Sequence, residues 1–403
     1  MRRLRILQVF SRYIHFGGEE SSVFRIGDAL QQNHDVEYFI GSTKEFLGSD
    51  IQSKIRAPFH AFYNLPIAQR LRKYQEIGGF DLWQIHNVLP ALSPSVYQTA
   101  FDLNVPVVHY LHNYRMGCTN GFLLNHGQPC ERCLGGNFWP AFQTACWRNS
   151  HLISGFMGLI LRRVRSIGTF HKVAAWISIS DFQKKKHVEM GIPANHIHNI
   201  YHFYDSSAPP PPTSPSGDTL FLGRLSREKG VDLLLRSWAI VKNRNRRLVI
   251  AGTGPEESFL KKLASDLNLA NVVFTGFLDK EQQVSLWSNS SALVVPSIWD
   301  EPFGMVVLEA WAKERPVVAF AKGALPELIH HGVNGLLADP FSVEALAKNI
   351  QELIDKPDFG PRLGKAGNLR LRDEFNRTLW LSRINAVYQP ALSNTATKSP
   401  SQA

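Results

Sequence analysis

The chain has 403 residues, of which 44% are hydrophobic and 19% are charged. This length exceeds what one hydrophobic core normally supports, so we expect two domains, and the apolar content excludes an intrinsically disordered chain. The net charge of +10 favours an anionic partner, such as a nucleotide-sugar, an acidic lipid surface or nucleic acid, without choosing among them.

The composition also bears on location. No run approaches the roughly 18 uncharged apolar residues that a membrane-spanning helix needs. The basic start MRRLRILQVFSRY lacks the apolar core of a signal peptide because Gln8 and Ser11 interrupt it, so Arg5–Phe10 is predicted to be the first strand. With no export signal and only four cysteines, we expect a protein of the reducing cytoplasm.

Apolar strands alternate with helical patterns through both halves of the chain, which predicts parallel doubly wound sheets. In the first half the other predicted strands are Val36–Ile40, Asp81–Ile85, Val105–Leu111 and Trp176–Ile179. In the second half they are Thr219–Leu222, Arg247–Ala251, Val272–Thr275, Leu293–Val295 and Val317–Ala319. Between the halves, residues 205–218 (DSSAPPPPTSPSGD) break every periodicity and predict a semi-rigid linker.

The predicted fold class is therefore α/β, with two Rossmann-like domains at residues 1–204 and 219–380 facing each other across a cleft. Ligands of such sheets bind beyond the carboxyl ends of the strands. Residues 393–403 have no apolar face and are predicted to be a disordered tail.

The most informative stretch is Val294–Pro316, in which a short strand, a polar loop and a helical pattern follow one another. This layout predicts that the backbone amides of Phe303, Gly304 and Met305 lie at a helix N-terminus, where they and the helix dipole favour an anion such as phosphate. Two carboxylates, Glu301 and Glu309, flank that turn.

Because carboxylates repel phosphate, their expected partners are hydroxyl groups. Phosphate beside hydroxyl groups describes a nucleotide-sugar; the alternative is an ordinary helix start with solvated acids. The segment EPFG at 301–304 followed by Glu309 resembles the paired-glutamate signature of retaining GT-B glycosyltransferases of family 4. The resemblance implies that Glu309 holds the ribose hydroxyls, that Glu301 contacts the donor sugar, and that the amides between them receive phosphate.

Two cations follow the first strand of the second domain. Arg224 and Lys229 could neutralise a departing diphosphate, or could belong to a solvated basic loop. Their context, GRL and EKG, resembles the same family and favours the first interpretation. The resemblance also implies that the turns holding Gly254 and Leu278 line the nucleotide pocket. Ala324 stands where the family often has a second glycine, which leaves the backbone of that segment open.

In the first domain, Gly17 and Gly18 follow strand one and precede a helix predicted from about Ser21; glycines there let the backbone approach donor phosphate or acceptor. The full dinucleotide fingerprint is missing, so no nicotinamide or flavin cofactor is predicted. His112 ends a predicted strand. It could be a structural histidine, but the family resemblance of the LHN context implies a contact with the donor sugar.

All four cysteines, Cys118, Cys130, Cys133 and Cys146, lie in one loop-rich segment, residues 113–150. Their spacing is compatible with a structural zinc site, in which His126 or His151 could replace one sulfur, with two disulfides, or with unligated thiols. Together with the HNYR segment at 112–115, they resemble a cysteine-containing subset of family 4.

Two helical patterns suggest further contacts. From His151 to His187 apolar residues alternate with Arg162, Arg163, Arg165 and residues 184–186 (KKK), which fits either a core-packed helix with solvated charges or a face on an anionic membrane. The amphipathic segment at 381–392 is implied by the family resemblance to cross back onto the first domain.

The sequence thus predicts a glycosyltransferase that moves a sugar from a nucleoside diphosphate to an acceptor hydroxyl with retention, in cell-surface polysaccharide or glycolipid synthesis. The acceptor is expected to be a saccharide or lipid-linked saccharide, the protein to be cytoplasmic or peripheral at the inner membrane face, and catalysis to need no metal. Two alternatives are a catalytically silent sugar-binding homologue and a basic, zinc-containing nucleic-acid-binding protein.

Overall fold

A computed structural model describes residues 2–12, 17–43, 51–205, 209–211, 216–242 and 246–396. The chain divides into two compact units. The first unit consists of Met1–Asn125, Cys130–Ile200 and Trp380–Ala403, and the second of His126–Pro129 and Tyr201–Leu379.

The strands of the first part of the chain are β1 Arg5–Arg12, β2 Asp35–Ser42, β3 Leu82–Ile85, β4 Val107–Tyr110, β5 Leu124–Asn125, β6 Gln128–Pro129, β7 Ala175–Ser178 and β8 Ile197–Asn199. Among the described residues of the first unit, six strands form one parallel sheet in the order β2-β1-β3-β4-β7-β8. The helices are α1 Gly18–Leu30, α2 Ile51–Phe62, α3 Leu65–Gly78, α4 Ser95–Asp102, α5 Trp139–Thr144, α6 His151–Ser166, α7 Thr169–Lys172 and α8 Asp181–Glu189.

The second part of the chain continues with β9 Asp218–Leu222, β10 Leu248–Ala251, β11 Val272–Gly276, β12 Ser290–Val295, β13 Val317–Phe320 and β14 Leu336–Ala338. These strands form a parallel sheet in the order β11-β10-β9-β12-β13-β14. The helices are α9 Val231–Ile240, α10 Glu257–Asp266, α11 Lys280–Ser288, α12 Met305–Trp311, α13 Leu325–Leu328, α14 Val343–Asp355, α15 Phe359–Glu374 and α16 Arg377–Ala396.

Every strand predicted from the sequence is present. The two edge strands β8 and β14 and the two-residue strands β5 and β6 were not predicted. The central strands β3, β4 and β7 are buried along their whole length, as expected for a parallel sheet covered by helices on both faces. β8 has the sequence IHN and β14 has LLA, so each has only three residues. A run of three residues is too short to show the alternation of apolar and polar side chains by which a strand is recognised. An edge strand can be this short because it is hydrogen-bonded on one side only.

The core of the second unit lies between its sheet and flanking helices. Leu248, Ile250 and Val294 from the strands pack with Leu234 of α9 and Leu346 of α14, each at most 1% exposed. The alternation of apolar strands and amphipathic helices in the sequence therefore produces the layered core directly.

The last helix was predicted over 381–392 and runs from Arg377 to Ala396. From Trp380 onward it belongs to the first unit. There the Trp380 Nε1 donates to the hydroxyl of Tyr110 at 3.4 Å, and Nε2 of His34 lies 2.8 Å from Oδ1 of Asn385.

The predicted disordered tail therefore starts too early. Residues 393–396 are helical, because a helix that is already nucleated gains one backbone hydrogen bond per added residue without needing an apolar face. The remaining residues, 397–403, lie outside the described part of the chain.

The boundary between the units falls four residues before the predicted linker. Tyr204 donates its amide to the carbonyl of Phe375 at 3.0 Å, and Asp205 pairs with Arg377 at 2.6 Å. These bonds attach the segment that follows Ile200 to the second unit. Of the linker itself, residues 206–208 and 212–215 lie outside the described residues.

Two glycines of α15 give a matched test of the packing of this helix. A Cβ added at Gly364 would lie 2.0 Å from the carbonyl oxygen of Glu314, whereas one added at Gly360 would meet its nearest atom, in Pro316, at 3.5 Å. We expect Gly364→Ala to lower the free energy of unfolding by about 1–3 kcal/mol through overpacking. Gly360→Ala should raise it by up to about 1 kcal/mol through helix propensity.

Denaturant unfolding of the two variants, followed by circular dichroism, would test this difference. Equal effects of the two substitutions would contradict the packing of α15 against the segment that contains Glu314.

Candidate functional site

The candidate site of the second unit lies where the strand order reverses. β9 and β12 are neighbours at the centre of the sheet, with β10 on one side and β13 on the other. Arg224 and Lys229 follow β9, and Glu301 follows β12, so all three leave the same sheet edge. Ligands of open α/β sheets bind in the crevice outside the carboxyl ends of the strands at such a point.

The structure brings Glu301 and Lys229 into direct contact. The Lys229 Nζ lies 3.1 Å from both carboxylate oxygens of Glu301. The indole nitrogen of Trp299 donates to Oε2 of the same carboxylate at 2.7 Å, and the Lys229 ammonium lies 5.2 Å from the centroid of the Trp299 ring. The side chains of Lys229 and Glu301 are 24% and 11% exposed. This buried carboxylate is thus neutralised by one cation and accepts a hydrogen bond from one neutral donor.

A second ion pair supports the loop from the other side. Lys322 Nζ lies 2.7 Å from Oδ1 of Asp300, and the two side chains are 14% and 10% exposed. Sequence reasoning missed Trp299, Asp300 and Lys322. Trp299 and Asp300 could have been found from the sequence, because they directly precede Glu301 in the loop that was already predicted to bind the donor.

The segment after β13 closes tightly on the backbone of Glu301. Gly323 has φ 57°, and a Cβ there would lie 2.3 Å from the Glu301 amide nitrogen. The amide of Ala324 donates to the Glu301 carbonyl at 2.8 Å. Ala324 itself has φ −82° and ψ −6°, a right-handed conformation that suits alanine. The departure from the family pattern at Ala324 therefore needs no unusual backbone.

Helix α12 begins at Met305, with Gly304 at φ 106° as its N-cap, and it has seven residues. The Phe303 side chain is 2% exposed and contacts the rings of Tyr201, His202 and Phe375. The prediction for Phe303 concerns its backbone amide, and it stays a prediction; the side chain belongs to an aromatic cluster. Glu309 is partly exposed in the second turn of α12.

The other predicted donor residues of the second unit follow the same edge. Arg224 is exposed after β9. Gly254, after β10, packs against this loop, since an added Cβ would lie 2.1 Å from the carbonyl oxygen of Leu225. Leu278, after β11, is partly exposed, and its carbonyl accepts from the Gln283 amide at 3.0 Å.

In the first unit, the candidate histidine follows β4. The Nε2 of His112 lies 2.8 Å from Nδ1 of His86. The two imidazole rings stack with their centroids 5.0 Å apart. Burial lowers the pKa of His112 to about 3, so the imidazole is neutral at physiological pH. The side-chain amide nitrogen Nδ2 of the neighbouring Asn113 donates to Oε2 of Glu19 at 3.2 Å.

The glycine pair lies at the start of α1. The helix begins at Gly18, earlier than the predicted Ser21, with Gly17 as its N-cap. A Cβ added at Gly17 or Gly18 would meet nothing within 4 Å. The helix starts early because glycine at these positions, followed by two acidic residues in the first turn, suits a helix N-terminus.

The structure does not test whether the four cysteines bind zinc, so the zinc site stays a prediction. The four cysteines line one small cavity, but among the described residues no three Cys, His, Asp or Glu side chains are arranged to hold a metal ion. All four are free thiols, so the alternative of two disulfides is not formed.

Local contacts account for this arrangement of the thiols. The Cys118 thiol donates to Oδ1 of Asn120 at 3.0 Å, and the Cys146 sulfur lies 3.1 Å from the hydroxyl of Thr119. Burial, followed by the neighbouring cysteines, raises the pKa of Cys133 to about 12. Burial therefore keeps the Cys133 thiol protonated at physiological pH.

The predicted basic face on α6 and α8 is interrupted. The Arg165 guanidinium donates to the carbonyls of Leu134 and Met190, and Lys186 forms ion pairs with Glu131 and Glu189. These two cations therefore bind protein groups instead of forming an open positive surface.

No helix in the described part of the chain is both long and apolar enough to span a bilayer.

The sequence matches two protein-family models and several curated proteins. Residues 16–208 match the model described as Glycosyltransferase Family 4, and residues 209–370 match the model described as Glycosyl transferases group 1. An uncharacterized glycosyltransferase of Methanocaldococcus jannaschii is 35% identical over 40% of this chain and 41% of its own length. The first curated relatives are matched over only 38–43% of their length.

Solved structures resemble nearly the whole chain. Sucrose-phosphate synthase from Thermosynechococcus elongatus matches with a TM-score of 0.72 and 19% identity, over 97% of this chain and 100% of that one. The Anabaena protein HepE in complex with UDP and glucose matches with a TM-score of 0.68 and 19% identity, over 96% and 100%. At this level of identity the likeness concerns the fold, and it confirms the predicted GT-B class of two Rossmann-like domains.

The lowered pKa of His112 predicts acid sensitivity. The unfolded chain binds a proton on this ring near pH 6.5, whereas the folded protein does so only near pH 3. Because the unfolded state takes up the proton first, stability is lost as pH falls from about 6.5 towards 3. Glutamine does not titrate, so the melting temperature of His112→Gln should fall less on acidification.

Calorimetric scans of both proteins between about pH 7.5 and about pH 4.5 would measure this difference. Parallel curves would contradict the burial of a neutral His112.

Proposed function

Because the chain is a group 1/family 4-like glycosyltransferase along residues 16–370, we propose that it transfers a sugar from a nucleoside diphosphate to the hydroxyl group of an acceptor. The observation that carries the proposal is the contact of Lys229 with Glu301 and Trp299 at the strand-order reversal of the second unit. An acid for hydroxyl groups and a cation for phosphate lie there side by side.

The ion pair of Lys229 with Glu301 suits a sugar donor whose diphosphate gains negative charge as the glycosidic bond breaks. Before donor binding, Lys229 and Glu301 neutralise one another, so neither half-buried charge is left uncompensated. A diphosphate would draw Lys229 towards its oxygens and free the Glu301 carboxylate to accept from sugar hydroxyls. Trp299 keeps one carboxylate oxygen bonded throughout, which fixes the orientation of the acid.

In the proposed reaction the acceptor oxygen forms a bond to the anomeric carbon as the bond to the diphosphate breaks. The electron pair of the broken bond goes to the leaving oxygen, and the hydroxyl proton passes to the diphosphate or to water. Lys229 and Arg224 would stabilise the negative charge that develops on the diphosphate, which is the largest single contribution in many enzymes.

The remaining roles follow the family pattern. Glu309 would hold the ribose hydroxyls, and the backbone from Phe303 to Met305 would receive phosphate. Gly254 and Leu278 would border the base, while His112, Gly17 and Gly18 would act on the transferred sugar and the acceptor. Retention of anomeric configuration and a role in cell-surface polysaccharide or glycolipid synthesis are the finer parts of this proposal.

The experiment that tests the donor class is a thermal-shift screen against UDP-, GDP- and ADP-linked sugars. HepE, which shares the fold, was solved in complex with UDP and glucose, so UDP-glucose belongs in the panel. A ligand that binds only the folded state raises the melting temperature, by an amount that grows with the logarithm of its concentration relative to Kd. A panel without any concentration-dependent shift would contradict the proposal.

Glycosyl transfer, measured as acceptor-dependent release of nucleoside diphosphate, separates an enzyme from a silent sugar-binding homologue. A shift without turnover for any acceptor would favour the homologue, and binding to a nucleic-acid column that weakens with salt would favour the basic nucleic-acid binder.

Removal of the Lys229 charge tests the mechanism. We expect Lys229→Ala to lower kcat by about 10²–10³-fold while weakening donor binding less, because the lysine acts chiefly on charge that develops in the transition state. Lys229→Arg keeps a cation and should retain part of the activity. Initial rates at several donor concentrations would separate kcat from KM.

Lys262→Ala is the matched control. Lys262 is 74% exposed and pairs with Asp266 on the surface of α10, so its loss should leave both constants unchanged. A turnover number of Lys229→Ala equal to that of the control would remove Lys229 from the mechanism.

A further inference from the structure

Three helices of the first unit present large apolar side chains to solvent. On α2, α5 and α6, four such side chains are between 52% and 78% exposed, namely Phe59, Trp139, Leu152 and Leu159. Single exposed apolar residues are common on folded proteins, but a group of them on adjoining elements marks a surface that contacts another body. These side chains therefore indicate an interaction surface.

The three helices adjoin one another. The ring of Trp139 stacks on Phe142 with the centroids 4.9 Å apart, and the rings of Phe142 and His151 lie 5.8 Å apart. The carbonyl oxygen of Phe142 also lies 2.6 Å from Nδ1 of His151, the first residue of α6. Helix α2 contacts α6 as well. The exposed side chains of the three helices thus belong to one region of the surface.

On α6 the exposed apolar side chains are followed by a cation on the same side of the helix. Leu152 and Leu159 are seven residues apart, and Arg162 follows three residues later, so the three side chains share one side. All three are exposed. On the opposite side, Met157 and Leu161 are buried in the core. Helix α6 therefore has one face in the core and one apolar and basic face towards solvent.

The sequence of these helices and of the residues around them contains no acid. Residues 51–75 hold five Lys or Arg and no Asp or Glu, and residues 132–180 hold six Lys or Arg and again no Asp or Glu. Arg165 donates to backbone carbonyls, but Arg56 and Arg162 are exposed. The three helices thus supply no acid of their own to balance their positive charge.

We define the apolar–basic face as Phe59, Trp139, Leu152, Leu159, Arg56 and Arg162. We propose that this face docks on the surface of an anionic phospholipid bilayer. The apolar side chains would enter the boundary between the lipid headgroups and the acyl chains, and the two guanidinium groups would bind lipid phosphates. Trp139 suits that boundary because its ring is apolar and its indole nitrogen is a hydrogen-bond donor.

Charge and side-chain type together favour a bilayer over other partners. A second copy of the same face would bring like charges together, which opposes dimerisation. A nucleic acid would pair with the arginines and could stack on Trp139, but it offers no apolar partner to Leu152 and Leu159. An anionic bilayer provides phosphate and hydrocarbon side by side, so it satisfies both classes of side chain.

Sedimentation of the full chain with lipid vesicles measures this contact. Because neither donor nor acceptor is present, the result does not depend on the proposed function. We expect binding to vesicles of phosphatidylcholine mixed with phosphatidylglycerol, and little binding to vesicles of phosphatidylcholine alone. Added salt should weaken the binding, because salt screens the attraction between arginine and lipid phosphate.

A double variant, Leu159→Gln with Arg162→Gln, tests the face itself. We expect this protein to bind anionic vesicles about tenfold or more weakly than wild type, because it loses one apolar contact and one charge directed at the lipid. Both side chains are exposed, so the melting temperature should stay close to that of wild type.

Lys365→Gln with Leu369→Gln is the matched control. Both residues lie on α15 of the second unit, where Lys365 is exposed and Leu369 is 62% exposed. The control removes the same net charge and one exposed leucine from a helix outside the apolar–basic face. It should therefore bind anionic vesicles as tightly as wild type.

A fluorescence measurement reports whether the face enters the lipid. Bromine atoms on the acyl chains quench the tryptophans that reach them, and the chain has nine tryptophans. Trp139 is the exposed tryptophan of the apolar–basic face. We expect Trp139→Phe to remove most of the quenching that wild-type protein shows.

Four results would overturn the inference. They are a lack of binding to anionic vesicles, equal binding of the double variant and its control, a dimer in solution that the double variant abolishes in place of vesicle binding, and salt-dependent binding to nucleic acid without binding to vesicles. If the wild-type protein binds vesicles through this face but consumes no donor, the inference stands and the proposed function fails.

Discussion

The second unit depends on a carboxylate that is held away from water. Removing Glu301 from solvent carries a desolvation cost that one neutral hydrogen bond does not offset, so the nearby Lys229 charge and the Trp299 indole are both needed. The surrounding residues also keep water away from Glu301 and compensate its neighbour. The Gly323–Ala324 segment packs directly against the backbone of Glu301, and Lys322 forms an ion pair with the adjacent Asp300. Four charges from three neighbouring loops thus cancel in pairs.

The fold supplies the place for this cluster. Parallel strands carry their loops to one sheet edge, and the strand order reverses between β9 and β12, where ligands of open α/β sheets bind. Residues 72 positions apart in the chain thereby share a hydrogen bond. The first unit follows the same plan, with the order reversing between β1 and β3.

The two units treat buried polarity differently. In the second unit, buried charges are compensated by opposite charges. In the first unit, the polar groups are neutral, and burial keeps them so: it lowers the pKa of His112 and raises that of Tyr388.

The sequence by itself determined the α/β class, the two halves, all the long strands and the loop that carries Glu301, because strand periodicity and helix-start chemistry are local properties. It also marked Lys229 and His112, but as separate candidates with different roles. Only the tertiary structure decided that Lys229 binds Glu301, that the Phe303 side chain lies in an aromatic cluster, and that the four cysteines line one cavity. Each of these contacts joins residues from different strands or helices, and spacing along a chain does not specify which buried side chains of distant elements meet.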